Sequence, residues 1–297
     1  MYRNWRLWKM RKKGLRQFEP LVYLIPALLF FILFTYYPFV KTVFNSFFLT
    51  NFMGERREFV GLENYIRILS DKDFLAAVKN TFIYVITSVP ISVFIALILA
   101  VVASRKTPSS PVYETMYALP MAMSSSVCAM IFELMYNPSL GILNEILNTN
   151  ISWLTDSRFT IFAISFISVW MNIGYNFLFL LAAVRAVPAD LIESSTMEGA
   201  GSVRLTTSII LPIISPTVFF LIINSLAKSM MMSGLVIILT DGGRSGSAST
   251  MISYMYTQSV NAQNYNNGYP AAVVAFIITF ALMLLSFGLE KKYVNYD

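Results

Sequence analysis

Six stretches of the sequence stay apolar for about 20 residues, which is the length that a helix needs to cross the hydrocarbon core of a bilayer. Inside lipid the backbone must satisfy its own hydrogen bonds, and a helix does so within one segment. The pattern therefore predicts an all-α, polytopic membrane protein. The predicted spans are Leu21 to Phe34 with an extension through Val40, Asn80 to Ala103, Val112 to Tyr136, Phe159 to Val184, Ile209 to Leu239, and Ala271 to Leu289.

The composition agrees with a chain that lies in lipid and limits its chemistry. Hydrophobic residues make up 56% and charged residues 13%, against about a quarter charged in soluble domains. Histidine is absent and Cys128 is the single cysteine, so no internal disulfide, histidine-based metal site or Cys/His catalytic pair can form. We predict no metal, no bound cofactor and no enzyme activity for this chain.

Positive charge is concentrated before the first span and beside later spans. Its position favours a membrane surface over nucleic acid, because no basic helix face or stacking platform accompanies it. The alternative of a cleaved signal peptide is disfavoured, since no small-residue cleavage site follows the first apolar stretch. The Lys and Arg distribution predicts that both termini are cytoplasmic. We divide the chain into a basic cytoplasmic tail (1–20), a transmembrane domain (21–290) and a second cytoplasmic tail (291–297).

The fifth apolar stretch, Ile209 to Leu239, is longer than one crossing needs. Lys228, Ser229, Ser233 and Gly234 interrupt it. We predict a helix, a break and a short second piece, an arrangement that lipid tolerates where the backbone faces protein or a water-filled cavity. In the loop before the second span, residues 59–69 mix apolar and charged side chains and predict a short interfacial helix on the outer face.

The segment between the fourth and fifth spans, about residues 187–212, has the clearest local signals. Pro188 fixes a turn, Asp190 is suited to cap the following helix, and Gly199 and Gly201 break it. The segment therefore predicts a helix, a glycine turn and a second helix on the cytoplasmic face. Arg204 then leads the chain back into lipid.

This segment resembles the cytoplasmic coupling motif of ABC importer permeases, whose pattern is Glu-Ala-Ala, three residues, Gly, nine residues, Ile, one residue, Leu-Pro. Two serines replace the two alanines here, which keeps small side chains at both positions. The matching residues are Glu193, Gly199, Ile209, Leu211 and Pro212. The resemblance implies that the residues contacting an ATPase subunit are Glu193, Ser194, Ser195, Glu198, Gly199 and Ala200.

Further landmarks resemble the oligosaccharide and glycerol-phosphate branch of that family. They are Gly61 to Tyr65, Trp153-Leu154 and Leu239 to Gly243, with Arg244 at a position where the family often has proline. The resemblance implies a permease subunit of an ATP-driven sugar importer. Its implied partners are a second, unlike permease subunit, two ATP-binding subunits that use ATP and Mg²⁺, an extracytoplasmic binding protein and membrane lipid.

The chain has no Gly-x-x-x-x-Gly-Lys-Ser/Thr pattern for ATP phosphates, so ATP hydrolysis is expected in the partners. The main alternative is an ion-coupled secondary transporter, for which acidic or histidine residues at mid-membrane would be expected. Glu133 and Lys228 give that alternative slight support. A membrane enzyme is a third and remote possibility.

Polar residues within the predicted spans are the candidates for a substrate pathway, because such residues usually face a cavity or another helix. They are Asn172, Asn176, Asn224, Ser225 and Lys228. Each asparagine also has the plainer interpretation of an interhelical hydrogen bond. Trp170 or Tyr175 could offer a flat surface to a sugar ring, and Met230 to Met232 could gate the path or simply pack. Lys228 predicts an acidic substrate, a structural partner such as Glu133, or a side chain that extends toward an aqueous cavity.

Overall fold

A computed structural model describes residues 23–105, 107–243 and 248–293 of the chain. Within these residues, four helices are long and apolar enough to cross a bilayer, and each of two bent helix pairs would add one further crossing. The four long helices are α1 (Tyr23–Asn45), α3 (Lys72–Ala103), α7 (Thr160–Arg185) and α13 (Tyr265–Tyr293). The bent pairs are α4 (Ser110–Ala118, continued by a 3₁₀ turn to Ala122) with α5 (Ser125–Met135), and α9 (Ser202–Ile213) with α10 (Ser215–Met230).

Shorter elements connect and flank these helices. They are the strands β1 (Phe48–Thr50) and β2 (Arg56–Phe59) and the helices α2 (Glu63–Ser70), α6 (Ile142–Leu147), α8 (Ala189–Met197), α11 (Gly234–Thr240) and α12 (Met251–Tyr256). The chain is therefore mostly helical, as the apolar pattern predicts. The second span begins eight residues earlier than Asn80, since Asp71 caps α3 by accepting a hydrogen bond from the Asp73 amide.

Helices α3 and α7 pack along each other and form the centre of the bundle. Small and hydroxyl side chains let them approach closely, which is the usual basis of helix association in membranes. Thr87 Oγ1 donates to Ser165 Oγ at 2.9 Å, and the Tyr84 hydroxyl donates to Ser168 Oγ one turn away. These bonds fix the register of the two helices at half depth, where the candidate site lies.

The third predicted span is bent by 97° between α4 and α5. Pro120 lies in the 3₁₀ turn before the bend, and Ser124 caps α5 by accepting from the Val127 amide. Gly174 of α7 allows this turn to approach, because a Cβ there would lie 2.9 Å from the Ala118 carbonyl oxygen. The span predicted for Val112 to Tyr136 is one candidate crossing made of two helices, because the turn and the cap divide it.

The fifth predicted span contains the expected break and a second bend. A 74° bend at Ile214 precedes α10, and residues Met231 to Ser233 separate α10 from the short α11. The predicted helix, break and short second piece are confirmed. Lys228 and Ser229 were wrongly included in the interruption, because both remain helical in the last turn of α10.

At the end of the bundle where α3 begins, β1 and β2 form an antiparallel hairpin that the sequence analysis did not predict. The helix predicted over residues 59–69 is present as α2. Asn64 holds α2 to β1 by donating to the carbonyls of Ser46 and Phe48, both at 3.0 Å. The hairpin is two short strands stabilised by side-chain bonds, a pattern too brief to give an alternating apolar signal.

The first helix, α1, lies on the outside of the bundle, with all residues from Tyr23 to Val40 exposed. It meets α13 through Phe39 and Phe276, whose ring centroids are 4.8 Å apart. The last helix continues through Tyr293, three residues beyond the predicted domain limit. The predicted tail 1–20 lies outside the described residues, as do positions 294–297 of the second tail.

Candidate functional site

A cavity of about 530 Å³ lies where the broken fifth span faces the middle of the bundle. Its walls come from α3, from the bend between α4 and α5, from α7, and from the α10–α11 break. The lining residues are Tyr84, Met121, Ser125, Ser168, Met171, Asn172, Tyr175, Lys228, Ser229, Met231, Met232, Ser233, Gly234 and Leu235. Asn172 stands halfway along the 26 residues of α7, so the cavity is at mid-depth of that helix.

Lys228 is the single charged residue among the described residues that line this cavity. Its Nζ lies 4.3 Å from the centroid of the Tyr175 ring, a cation–π geometry. Asn224, one turn earlier on α10, donates from Nδ2 to the Tyr175 hydroxyl at 3.3 Å. Asn224 and Lys228 are four residues apart and lie on one face of α10, where both contact Tyr175.

The two asparagines of α7 have different surroundings. Asn172 lines the cavity and donates from Nδ2 to the Ser168 carbonyl at 2.8 Å. This hydrogen bond does not use the Oδ1 atom of Asn172. Asn176 is fully buried and donates to Ser92 Oγ of α3 at 3.3 Å. The structure thus gives Asn176 the interhelical interpretation, while Asn172 stays a candidate for contact with a solute.

The remaining candidates separate in the same way. Ser225 is buried, and neither it nor Asn224 lines the cavity. Trp170 packs on Phe132 with centroids 5.7 Å apart, so of the two aromatic candidates Tyr175 is the one that lines the cavity.

The structural partner suggested for Lys228 is not formed. Glu133 is exposed on α5, and the ion pairs among the described residues do not include Lys228. Of the three consecutive methionines, Met230 is buried, whereas Met231 and Met232 line the cavity at the break.

The segment after α7 has the predicted helix, glycine turn and helix. Helix α8 ends at Met197, Gly199 has φ +85°, and Ala200 donates its amide to the Ser195 carbonyl at 3.0 Å. A left-handed residue followed by this bond is a common way to end a helix, and glycine adopts it without steric cost. The predicted Asp190 cap was wrong: the N-cap is Pro188 without a side-chain bond, and Asp190 lies in the first turn.

Helix α8 makes little contact with the rest of the chain. None of its residues is buried, and Glu193, Ser194, Glu198 and Gly199 are exposed. A cavity of about 610 Å³ lies between α8 and the ends of α3 and α7 and is lined by Val101, Arg105, Val187, Ala189, Ile192, Thr196 and others. The apolar side chain of Met197 is 89% exposed.

An ion pair that the sequence does not predict joins the end of α7 to α4, at the point where this segment begins. Arg185, the last residue of α7, pairs with Glu114 of α4 through Nη2 to Oε1 at 2.5 Å. The same guanidinium donates to the carbonyls of Ala103 at 3.0 Å and Ser104 at 3.3 Å, which end α3. Glu114 and Arg185 are 71 residues apart, so no local pattern reveals the pair; a basic residue in the last turn of α7 was the one available signal.

Comparison with known proteins gives a consistent result. The family described as "Binding-protein-dependent transport system inner membrane component" matches residues 69–294. The probable ABC transporter permease protein YurN of Bacillus subtilis is 30% identical over 274 residues, which are 90% of this chain and 94% of that protein. The sn-glycerol-3-phosphate transport system permease protein UgpA of Agrobacterium fabrum is 29% identical over 281 residues, 93% of this chain and 96% of its own.

The fold has a match among solved structures. A chain of the bacterial alginate ABC transporter, crystallised in complex with an alginate pentasaccharide-bound periplasmic protein, superposes with a TM-score of 0.82. That match covers 97% of this chain and 98% of the other at 20% sequence identity. Within the described residues no three His, Cys, Asp or Glu side chains are grouped as a metal site would need.

Proposed function

This chain belongs to the family of binding-protein-dependent transport system inner membrane components, and from that premise we propose that it lines the path of a saccharide through an ATP-driven importer. The family is one of transport permeases, so the activity is translocation. The observation that carries the proposal is the position of α8. This exposed helix follows the end of α7, and the middle of α7 lines the mid-depth cavity. Helix α7 thus connects a surface suited to a partner subunit with a cavity suited to a solute.

The cavity supports the solute part of the proposal. Hydroxyl and amide groups of Ser125, Ser168, Asn172 and Ser233 lie beside apolar methionine walls. Saccharides present hydroxyls that donate and accept hydrogen bonds together with apolar ring faces, and Tyr175 offers an aromatic surface for such a face. The sugar class rests on this chemistry and on the names of the relatives.

The surface of α8 supports the partner part. Exposed Glu193 and the exposed apolar side chains of Leu191 and Met197 give a short amphipathic surface that the bundle leaves uncovered. We infer that an ATP-binding subunit receives this helix, with Glu193, Ser194, Ser195, Glu198, Gly199 and Ala200 at or beside the contact. The described part of the chain has no feature for ATP, so two such subunits would supply ATP, Mg²⁺ and hydrolysis.

The membrane orientation follows from this assignment. Helix α7 is 26 residues long and spans about 39 Å, so α6 and α8 lie near opposite membrane surfaces. With α8 on the cytoplasmic side, six crossings place both termini in the cytoplasm if each bent pair crosses once. A second homologous permease would complete the path, and an extracytoplasmic binding protein would deliver the solute at the end carrying β1, β2 and α6.

The alternative of an ion-coupled secondary transporter has no support from the comparisons. Within the described residues the cavity also has no carboxylate to bind a coupling proton or cation. We therefore infer that partner subunits drive the transport.

The proposal is tested by purifying the tagged chain from its native membrane in mild detergent. Mass spectrometry then identifies co-purifying subunits, and ATPase activity is measured after addition of the binding protein. We expect an ATPase and a second permease to co-purify, and Glu193→Ala to lose the complex or the coupled ATPase activity. The matched control is Glu145→Ala, which removes an exposed carboxylate from α6 at the opposite end of α7. The two variants are compared by co-purification of the ATPase, because α6 lies at the end assigned to the binding protein.

Loss of the ATPase from purified Glu193→Ala, with its retention in Glu145→Ala, supports α8 as the contact. Equal effects of the two substitutions would refute that assignment. A complex-free protein that moves solute without ATP would refute the importer itself.

A further inference from the structure

The charge in the mid-depth cavity carries an inference about the solute. Lys228 is placed in the last turn of α10, beside the backbone break and facing the cavity. A cation within a membrane-spanning bundle is costly unless it is paired or reaches water. The groups around Lys228 therefore indicate what stabilises its charge. Among the described residues, the groups that face it are the Tyr175 ring, hydroxyls, an amide and thioethers, with no carboxylate.

The contact with the Tyr175 ring satisfies only part of the hydrogen-bonding capacity of the Lys228 ammonium group. An ammonium group has three N–H donors, and a ring face 4.3 Å away satisfies one direction of approach. Asn224 fixes this ring through its bond to the tyrosine hydroxyl, so the ring positions Nζ at the wall of the cavity. The other donors are then available to a group inside the cavity.

We propose that the cavity accepts an acidic saccharide, carboxylated or phosphorylated, and that Lys228 contacts its anionic group. An anion placed there gains a charge-assisted hydrogen bond in a partly desolvated site, where such bonds are stronger than neutral ones. Asn172 and the serine hydroxyls of the wall then meet the sugar hydroxyls. The inference rests on the proposed function, because it names the class of solute that the same cavity admits.

The test uses the complete importer, with its partner permease, ATPases and binding protein, reconstituted in proteoliposomes. The probes are a labelled uronic acid trisaccharide, the same trisaccharide with its carboxyls reduced to alcohols, a hexose phosphate and the free hexose. These pairs distinguish a carboxylate from a phosphate while each keeps its sugar skeleton. ATP-driven uptake and ATPase stimulated by the binding protein are recorded separately.

We expect the wild-type importer to take up at least one acidic probe in preference to its neutral partner. Lys228→Met is expected to lower that uptake about tenfold or more, the loss given by one hydrogen bond to a charged group. Lys228→Arg should keep most of it. Lys41→Met is the matched control, because it removes a lysine from α1 at a site away from the cavity.

Three results would overturn the inference. One is uptake of the neutral probes alone, or of no acidic probe, by an importer whose ATPase responds to the binding protein. Another is an equal change for acidic and neutral probes in Lys228→Met. The third is loss of the second permease from the purified Lys228→Met complex, which would give the lysine a structural role at the subunit interface. Absence of any ATP-driven uptake and of any co-purifying ATPase refutes the proposed function instead.

Discussion

The contact of Arg185 with Glu114 predicts a measurable coupling between the end of α7 and α4. Both side chains are about three-quarters buried, with 24% and 23% of their surface exposed. Arg185 makes two bonds to the carboxylate and two to the final carbonyls of α3. Replacing it with methionine leaves a largely buried carboxylate without its counter-charge and frees the two carbonyls.

The magnitudes follow from this difference in bonding. Removing one member of a fully buried pair costs about 3–5 kcal/mol, and partial exposure lowers that figure. We expect Arg185→Met to reduce the free energy of unfolding by about 3 kcal/mol and Glu114→Leu by about 2 kcal/mol, because the arginine keeps its carbonyl acceptors in the second case. The double variant is expected to cost about 3 kcal/mol, which gives a coupling of about 2 kcal/mol.

The assay is equilibrium unfolding of the purified chain in mixed micelles as the fraction of sodium dodecyl sulfate rises, followed by circular dichroism. The four proteins of the cycle are compared in one detergent and lipid mixture. A coupling below about 0.5 kcal/mol would refute the pair, since that is the usual error of additivity. A larger cost for Glu114→Leu than for Arg185→Met would refute the role of the carbonyl bonds.

Three further predictions concern single positions, and the first two have a matched control. Gly199→Ala is expected to impair ATPase coupling, because φ +85° costs an L-residue about 1–2 kcal/mol, whereas Gly201→Ala adds a Cβ in open space and should leave coupling unchanged. Gly174→Ala is expected to lower stability in the same unfolding assay by about 1–3 kcal/mol through contact with the backbone of the α4 turn, whereas Gly288→Ala meets no neighbour and should be neutral or slightly stabilising. Hydrogen bonds from a neighbouring guanidinium lower the pKa of Asp156 to about 2, so its stabilising effect is complete above the unfolded pKa of about 3.9 and is lost as the pH falls toward 2. The stability difference between Asp156→Asn and the wild type, measured by that assay, is therefore expected to stay constant from pH 8 to pH 5, and a change within that range would contradict the pairing.

The elements that the sequence predicts well are those whose signal is local. A membrane span is a continuous apolar run, and the helix after Pro188 is marked by a proline, polar residues and a glycine within a dozen positions. The break in the fifth span was visible for the same reason, because Ser233 and Gly234 interrupt an apolar run. Its exact place was not, since a lysine such as Lys228 can remain helical when its charge faces a cavity.

The features that escaped prediction depend on contacts between distant residues. The bend after Pro120 is accommodated by Gly174, which is more than 50 positions later in the chain. The strands β1 and β2 are short, and Asn266 of α13 accepts a hydrogen bond from the Thr50 amide at 2.7 Å beside them. Such bonds give no periodicity, so the sequence alone identifies neither the bend nor the hairpin.

In the candidate site, two asparagines that the sequence does not distinguish have different surroundings in the structure. Asn172 and Asn176 lie four positions apart on α7 and were equivalent candidates by sequence. The packing of α3 separates them, because Ser92 reaches Asn176 whereas the α10–α11 break opens the space beside Asn172. Which polar residue in a span lines a cavity is therefore decided by where a neighbouring helix stops. In this chain that place is the break at Met231 to Ser233, and the residues that face the break set the chemistry of the cavity.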